Sequence, residues 1–176
     1  MLDEMPSPSC SHFDESNINE SRTMAKHLMP AFASAQDVAK QLVGTWKLTS
    51  WVFQIIGGES IEPYGPNPNG RIVMTPEGHW SVILTGANRK AGKTPEEKAA
   101  LMDTMLAYFG KYSIDGDRIT VDVEMSSNEI YVGPLQNQTR FFTVDGDKLV
   151  LRTPEIMSAV KPGEKAVGVL GWERQR

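Results

Sequence analysis

A single cysteine, Cys10, stands among 176 residues. No disulfide can therefore form within the chain, and paired Cys-x-x-Cys zinc or redox motifs are excluded. Histidine is nearly as scarce, and of His12, His27 and His79 only the last falls in the part of the chain patterned to fold. No histidine cluster can be assembled from that set, so no metal site is expected. No apolar run approaches the roughly 20 residues of a membrane-spanning helix, and no membrane span is expected. Basic residues are in deficit, 18 Lys and Arg against 22 Asp and Glu, giving a net charge of −4. Without a basic stripe, nucleic acid is not an expected partner. Neither a Gly-rich phosphate loop nor a Ser-His-Asp order is found, and no cofactor is assigned. Asp122 and Glu124 share a strand face, but two carboxylates alone do not make a glycosidase.

Residues 1–36 read as a polar leader. Met1 to Arg22 are rich in Ser, Asn, Glu and Asp with few core-forming side chains, a composition that leaves too little apolar surface to fold. Residues 1–23 are expected to be flexible or held only by a partner subunit, so a homodimer is possible. The stretch from Met24 to Ala35 faintly resembles a signal peptide. Pro30 interrupts its short apolar patch, however, and it is read as a leader or alternative start region. Asp37 to Leu42 could form a helical turn covering the bottom of the domain that occupies residues 37–176.

From Thr45 the pattern changes to period two. Trp46, Leu48, Ser50 and Val52 are assigned to one face of a strand running to Ile56, with Thr45, Lys47, Thr49 and Trp51 on the other. Turn signals then recur at hairpin spacing: Gly57-Gly58, Pro76-Glu77-Gly78, Asp115-Gly116-Asp117 and Asp145-Gly146-Asp147. Ile61 to Asn69, with three prolines, reads as a loop or edge segment. Ile119, Val121, Val123 and Met125 alternate along one face of the strand from Arg118. The tally is eight or nine short strands, with Lys165 to Arg174 closing the ladder.

One segment departs from that period. Thr94-Pro95-Glu96-Glu97 is a capping box with proline at the first helical position. Leu101, Met102, Met105, Leu106 and Phe109 follow at helical spacing, and Gly110 suits a stop. A helix over 95–109 is therefore predicted between strands, lying over a mouth or against a wall. The fold class is all-β, an eight- or nine-stranded antiparallel up-and-down barrel. Its floor is assigned to Trp46, with Arg174 as the first candidate for a cation–π cover of the indole and Arg140 as the second.

The order of these motifs resembles the lipocalin-like domain family of bacteria and fungi, a branch of the calycin superfamily. The matching residues are Leu42-Val43-Gly44-Thr45-Trp46-Lys47-Leu48, Tyr64-Gly65-Pro66-Asn67-Pro68-Asn69-Gly70-Arg71 and Thr75-Pro76-Glu77-Gly78. They continue with Tyr108-Phe109-Gly110-Lys111-Tyr112, Asp145-Gly146-Asp147-Lys148-Leu149 with Leu151, and Trp172-Glu173-Arg174, spanning 42–174. The resemblance implies a small barrel with an internal cavity and says little of chemistry, since most members have no assigned activity. Members often carry a His-rich stretch where this chain reads Val121-Asp122-Val123-Glu124, so no role for those histidines transfers. Most secreted lipocalins carry disulfides, so this chain is expected to be cytoplasmic.

A plugged barrel of this size can hold one small ligand. The expected occupant is a small, mostly apolar molecule, bound without chemistry. The alternatives are a cyclase, isomerase or dehydratase working inside the cup, and a structural module whose barrel is filled by side chains. His79 could ligate haem iron or act as a base, or simply cap its turn. Glu124 and Arg140, both on strands, are read either as an inward-facing pair that positions a ligand carbonyl or as a structural ion pair. Glu124, His79 and Arg140 are the catalytic candidates. Met74, Trp80, Tyr112, Glu124, Tyr131 and Arg140 are the ligand-binding candidates. Tyr64 and Tyr108 are placed with Tyr112 and Tyr131 near a mouth, where rim packing explains them equally well. Met102, Met105 and Met125 are further lining or core methionines. The helix from Pro95 to Phe109 and the loop from Ser126 to Leu135 are the expected lids.

Overall fold

The computed structural model describes residues 35–133, 138–158 and 161–176. The expectations for the polar leader, Cys10 and residues 134–137 lie outside the described residues. Helix α1 (Ala35–Leu42) leads into β1 (Gly44–Ile55), β2 (Ser60–Ile61), β3 (Asn69–Met74) and β4 (His79–Thr85). Helix α2 (Pro95–Asp103) precedes β5 (Met105–Asp115) and β6 (Arg118–Ser126), and a 3-10 turn at Glu129–Tyr131 follows. The chain ends with β7 (Gln138–Asp145), β8 (Lys148–Arg152), β9 (Ile156–Met157) and β10 (Lys165–Gln175).

Eight of these strands close an antiparallel barrel in the order β1-β3-β4-β5-β6-β7-β8-β10, sealed by pairing of β1 with β10. The two-residue strands β2 and β9 extend β1 and β10 at one end. Because each strand runs against its neighbour, the tight turns at 75–78, 115–117 and 145–147 gather at one end. The long connections after β1, β4, β6 and β8 gather at the other. Short turns make a floor and long connections make a mouth.

The floor is packed solid. Trp46, Leu42 and Leu149 are fully buried, Met74 nearly so. The Trp46 indole donates from Nε1 to the Leu42 carbonyl at 2.8 Å, joining β1 to the last turn of α1. Arg174 lies over the same indole, its guanidinium carbon 4.1 Å from the ring centroid. That guanidinium donates to the carbonyls of Val43 (2.8 Å) and Gln41 and sits 3.4 Å from the Asp147 carboxylate. A cation on the exposed carbonyls at a helix C-terminus is where the helix dipole favours it. Gly44 has φ +133°, and a Cβ there would meet the Arg174 guanidinium at 2.9 Å. The backbone thus favours glycine at this position, and a side chain there would also push the guanidinium aside.

Four expectations need correction. A bulge in β1 between Leu48 and Ser50 shifts the register against β10 and exchanges the faces beyond it. Trp46 and Leu48 face the core as expected, but Phe53, Ile55 and Trp51 then turn inward while Ser50 is exposed. Opposite the bulge, a Cβ on Gly171 would lie 2.7 Å from Ser50 Oγ and would displace that hydroxyl. The predicted helix is also shorter. Its capping box forms as read, with Glu97 N bonded to Thr94 Oγ1 and Glu97 Oε2 accepting from Thr94 N. The helix stops at Asp103, however, and Met105 to Phe109 open β5, pairing with β4 from Thr85 to Ser81. The helical spacing there is coincidental: no residue of α2 is buried, whereas Tyr108 and Gly110 alternate inward on β5. Gly110 is no helix stop. It sits at a second bulge, where a Cβ would lie 2.0 Å from the Asp122 carbonyl oxygen of β6. Past that bulge the faces of β6 exchange too, so Met125 is exposed rather than in line with Val123.

Candidate functional site

Above the packed floor lies a cavity of about 700 Å³, within the roughly 300–1,000 Å³ typical of small-ligand pockets. Its base and walls are apolar, formed by Ile72, Val82, Leu84, Leu151 and Leu170 with the rings of Trp80 and Trp172. The β1 bulge contributes Trp51 and Phe53, and the start of β5 contributes Met105 and Leu106. Each inner residue is the alternate position of a strand whose other face meets solvent.

The mouth is held by specific bonds. Tyr64 packs edge-on against Trp51, with ring centroids 4.1 Å apart, and its carbonyl accepts from Ala87 N at 3.0 Å. Arg89 donates to the Leu101 carbonyl at 2.9 Å, tying the end of α2 to the loop before it. Met102 and Asp103 of α2 reach the cavity rim. On the opposite side Ser126 Oγ donates to the Ala107 carbonyl, and Ala107 N donates to Ser127 Oγ. Asn128 then caps the 3-10 turn by accepting from Ile130 N at 3.1 Å. These bonds set Tyr131 beside Tyr108, with ring centroids 6.5 Å apart.

The polar part of the cavity centres on Arg140. Inward alternation along β7 brings Gln138, Arg140 and Phe142 to one face, and the first two line the cavity. Arg140 donates from Nη1 to the Thr139 carbonyl at 2.7 Å and from Nη2 to Gln138 Oε1 at 3.0 Å. Among the described residues no carboxylate lies within ion-pair distance of it. Tyr108 is buried beside it. Burial pushes the Tyr108 phenol upward from its ordinary range, and the Arg140 charge offsets part of that rise. The Trp80 indole approaches the same phenol without a well-formed hydrogen bond. At the mouth, burial pushes the Tyr64 phenol up to about 12. The indole N–H groups of Trp51, Trp80 and Trp172 are all buried without an acceptor.

The structure divides the residues singled out from sequence. Arg140, Tyr131 and Trp80 lie on the cavity wall, as do Met102 and Met105. Met74 is in the floor core, between Gly44 and Trp80 in the sheet register. Tyr112 belongs to the closed end, where its hydroxyl donates to the Thr75 carbonyl at 2.9 Å. Glu124 is exposed on the outside of β6 and makes no pair with Arg140, which corrects the expectation of an inward pair. His79 is on the outer phase of β4, with its ring stacked on Phe109 at 5.7 Å. Trp51 and Gln138 were missed. The bulge hid Trp51, while Gln138 was legible as the inward neighbour two residues before Arg140. Tyr108, placed with the rim tyrosines, is instead a wall residue. Among the described residues no group of three His, Cys, Asp or Glu is placed to hold a metal, and no helix is long and apolar enough to cross a membrane.

Comparison with curated proteins finds no match. Among solved structures the chain is similar to the crystal structure of Rv2717c from M. tuberculosis, at 14% identity and a TM-score of 0.37. That alignment covers 82% of this chain and 99% of the other, and a likeness so loose carries no argument about the cavity. The match to a family is of another order: residues 43–175, the whole barrel from its first strand to its last, match the lipocalin-like domain, and the chain belongs to that family.

Proposed function

We propose that this protein is a binding protein for a small, mostly apolar molecule, held in the cup. The observation that supports it is the cavity of about 700 Å³ with apolar walls above a solid floor. A barrel serving only as a scaffold would fill that space with its own side chains, because interiors otherwise pack to near crystal density. Support for binding over catalysis comes from where the acid–base candidates sit. His79 and Glu124 are on the outer surface, and the carboxylates reaching the cavity, Asp103 and Glu129, belong to exposed mouth residues.

Intrinsic fluorescence tests this reading, because Trp51, Trp80 and Trp172 line the cavity and Trp46 alone does not. Titration with apolar probes such as 1-aminoanthracene should shift tryptophan emission saturably, at one probe per chain. Emission that stays unchanged across a range of apolar probes would remove the reading in favour of a structural module. Conversion of a bound compound, seen by mass spectrometry, would favour an enzyme.

A further inference from the structure

We propose that the molecule bound in the cup is an apolar carboxylic acid whose carboxylate seats on Arg140; this rests on the reading of the cup as a binding site. Among the described residues Arg118, Arg174 and Arg176 have a carboxylate partner, at 2.8, 3.4 and 2.6 Å, whereas Arg71, Arg89, Arg140 and Arg152 have none, and of these four only Arg140 lines the cavity. Arg140, on the cavity wall, has none among the described residues and is held only by two neutral oxygens. Those two bonds use two of the five N–H donors of a guanidinium, leaving three. They also fix the plane of the group, so little freedom is lost when a ligand binds. A half-buried positive charge without a counter-ion is an unfavourable arrangement that an anionic ligand relieves.

The count of charges narrows the class. Among the described residues Arg140 is the one cation on the cavity lining, and the lining acids, Asp103 and Glu129, stand at the mouth. A single positive group matches a single negative one, and a dianionic phosphate would meet one cation and two carboxylates. A neutral ketone or alcohol could accept a hydrogen bond but would leave the charge unbalanced. The planar carboxylate fits the guanidinium fork with two parallel bonds. Tyr108, buried beside Arg140, keeps its hydroxyl protonated as a further donor because burial disfavours the phenolate. The rest of the lining is mostly apolar, interrupted by Gln138, Thr153 and the mouth residues Ser127 and Asn128, so the body of the molecule is mostly hydrocarbon or aromatic.

Matched probes separate head group from body. Calorimetric titration at pH 7.5 would compare 1-pyrenebutyrate with 1-pyrenebutanol, and decanoate with 1-decanol. The wild-type chain, Arg140→Gln and Arg140→Lys would be used, each checked for folding by circular dichroism. In the wild type the acid of at least one pair is expected to bind roughly 10- to 100-fold tighter than its alcohol, as for a charge-assisted hydrogen bond. Arg140→Gln should abolish that preference and leave the alcohol's affinity within about threefold, while Arg140→Lys should retain part of it because charge remains and the fork does not. Should Arg140→Gln fail to fold, the wild-type pairs and Arg140→Lys still decide. Acids and alcohols binding equally, or a preference that survives in Arg140→Gln, would overturn the carboxylate and leave the apolar cup standing. No binding of any probe would remove both.

Discussion

Replacing Arg174 with methionine keeps much of its aliphatic stem but removes everything its guanidinium does at the floor. Two charged donor bonds are lost, to the carbonyls of Val43 and Gln41. Each is worth about 1.5–3 kcal/mol where the acceptor is left dry. Arg174 is about one-fifth exposed, so water can reach those carbonyls in the variant and about 1 kcal/mol apiece is the better figure. The cation–π contact at 4.1 Å contributes about 1 kcal/mol. The ion pair with Asp147 contributes little, because that carboxylate is close to half exposed. The sum is about 3 kcal/mol of lost stability. Urea denaturation followed by tryptophan fluorescence should show it as a midpoint lowered by about 1–3 M. Asp147→Asn should lower stability by under about 1 kcal/mol, which separates the carbonyl and indole contacts from the ion pair. If Arg174→Met unfolds within 0.5 kcal/mol of wild type, a threshold roughly equal to an ordinary surface substitution, the arginine does not hold the floor and the reasoning fails.

Trp46→Ala removes a fully buried indole and should destabilise by about 3–5 kcal/mol, measured by the same denaturation with circular dichroism. Gly110→Ala places a Cβ 2.0 Å from the Asp122 carbonyl; a loss of about 2 kcal/mol or more is expected, and a neutral variant would show that the β5–β6 bulge is not rigid. Thr94→Ala breaks the capping box at about 1 kcal/mol of local helix stability. Because α2 buries no residue, faster amide exchange in α2 should come with a nearly unchanged melting temperature. Burial raises the phenol pKa of Tyr64, Tyr108 and Tyr112 above its ordinary value. Folded stability should therefore be intact below about pH 10, where these phenols are neutral in both states. It should decline as pH rises from there towards the folded values, since the unfolded chain ionises first. Absorbance at 295 nm should show these three phenols ionising late, and their titrating near pH 10 would contradict the burial described for them.

The barrel was legible because its evidence is periodic and local. Strand alternation, Gly-containing turns and the Gly44–Trp46 start each follow from one or two residues of backbone geometry. What was hidden depends on non-local register. The β1 bulge between Leu48 and Ser50 is set by pairing with β10, more than a hundred residues away, and it alone decides whether Trp51 or Val52 faces the cavity. The β5–β6 bulge likewise sends Met125 outward. Glu124 was misassigned for a simpler reason, since its own alternation with Val123 already placed it outside. Leu101 to Phe109 satisfies helical and strand spacing at once, and hydrogen bonding to β4 settles the choice for β5. Arg140 was recognisable as a charge on an otherwise apolar-faced strand. That it would go without a carboxylate was not, because its neighbours beyond β7 come from β5 and β6.

Native mass spectrometry of the freshly purified protein, alongside Leu170→Trp, which pushes an indole into the cavity beside Leu151, asks whether the cup holds a molecule. One small apolar compound per chain is expected on the wild type, retained through purification or acquired from a mixture of apolar acids and neutral compounds, with occupancy sharply reduced in Leu170→Trp. A wild-type chain that takes up nothing, or a variant that binds as well as wild type while remaining folded, would contradict a ligand in the barrel.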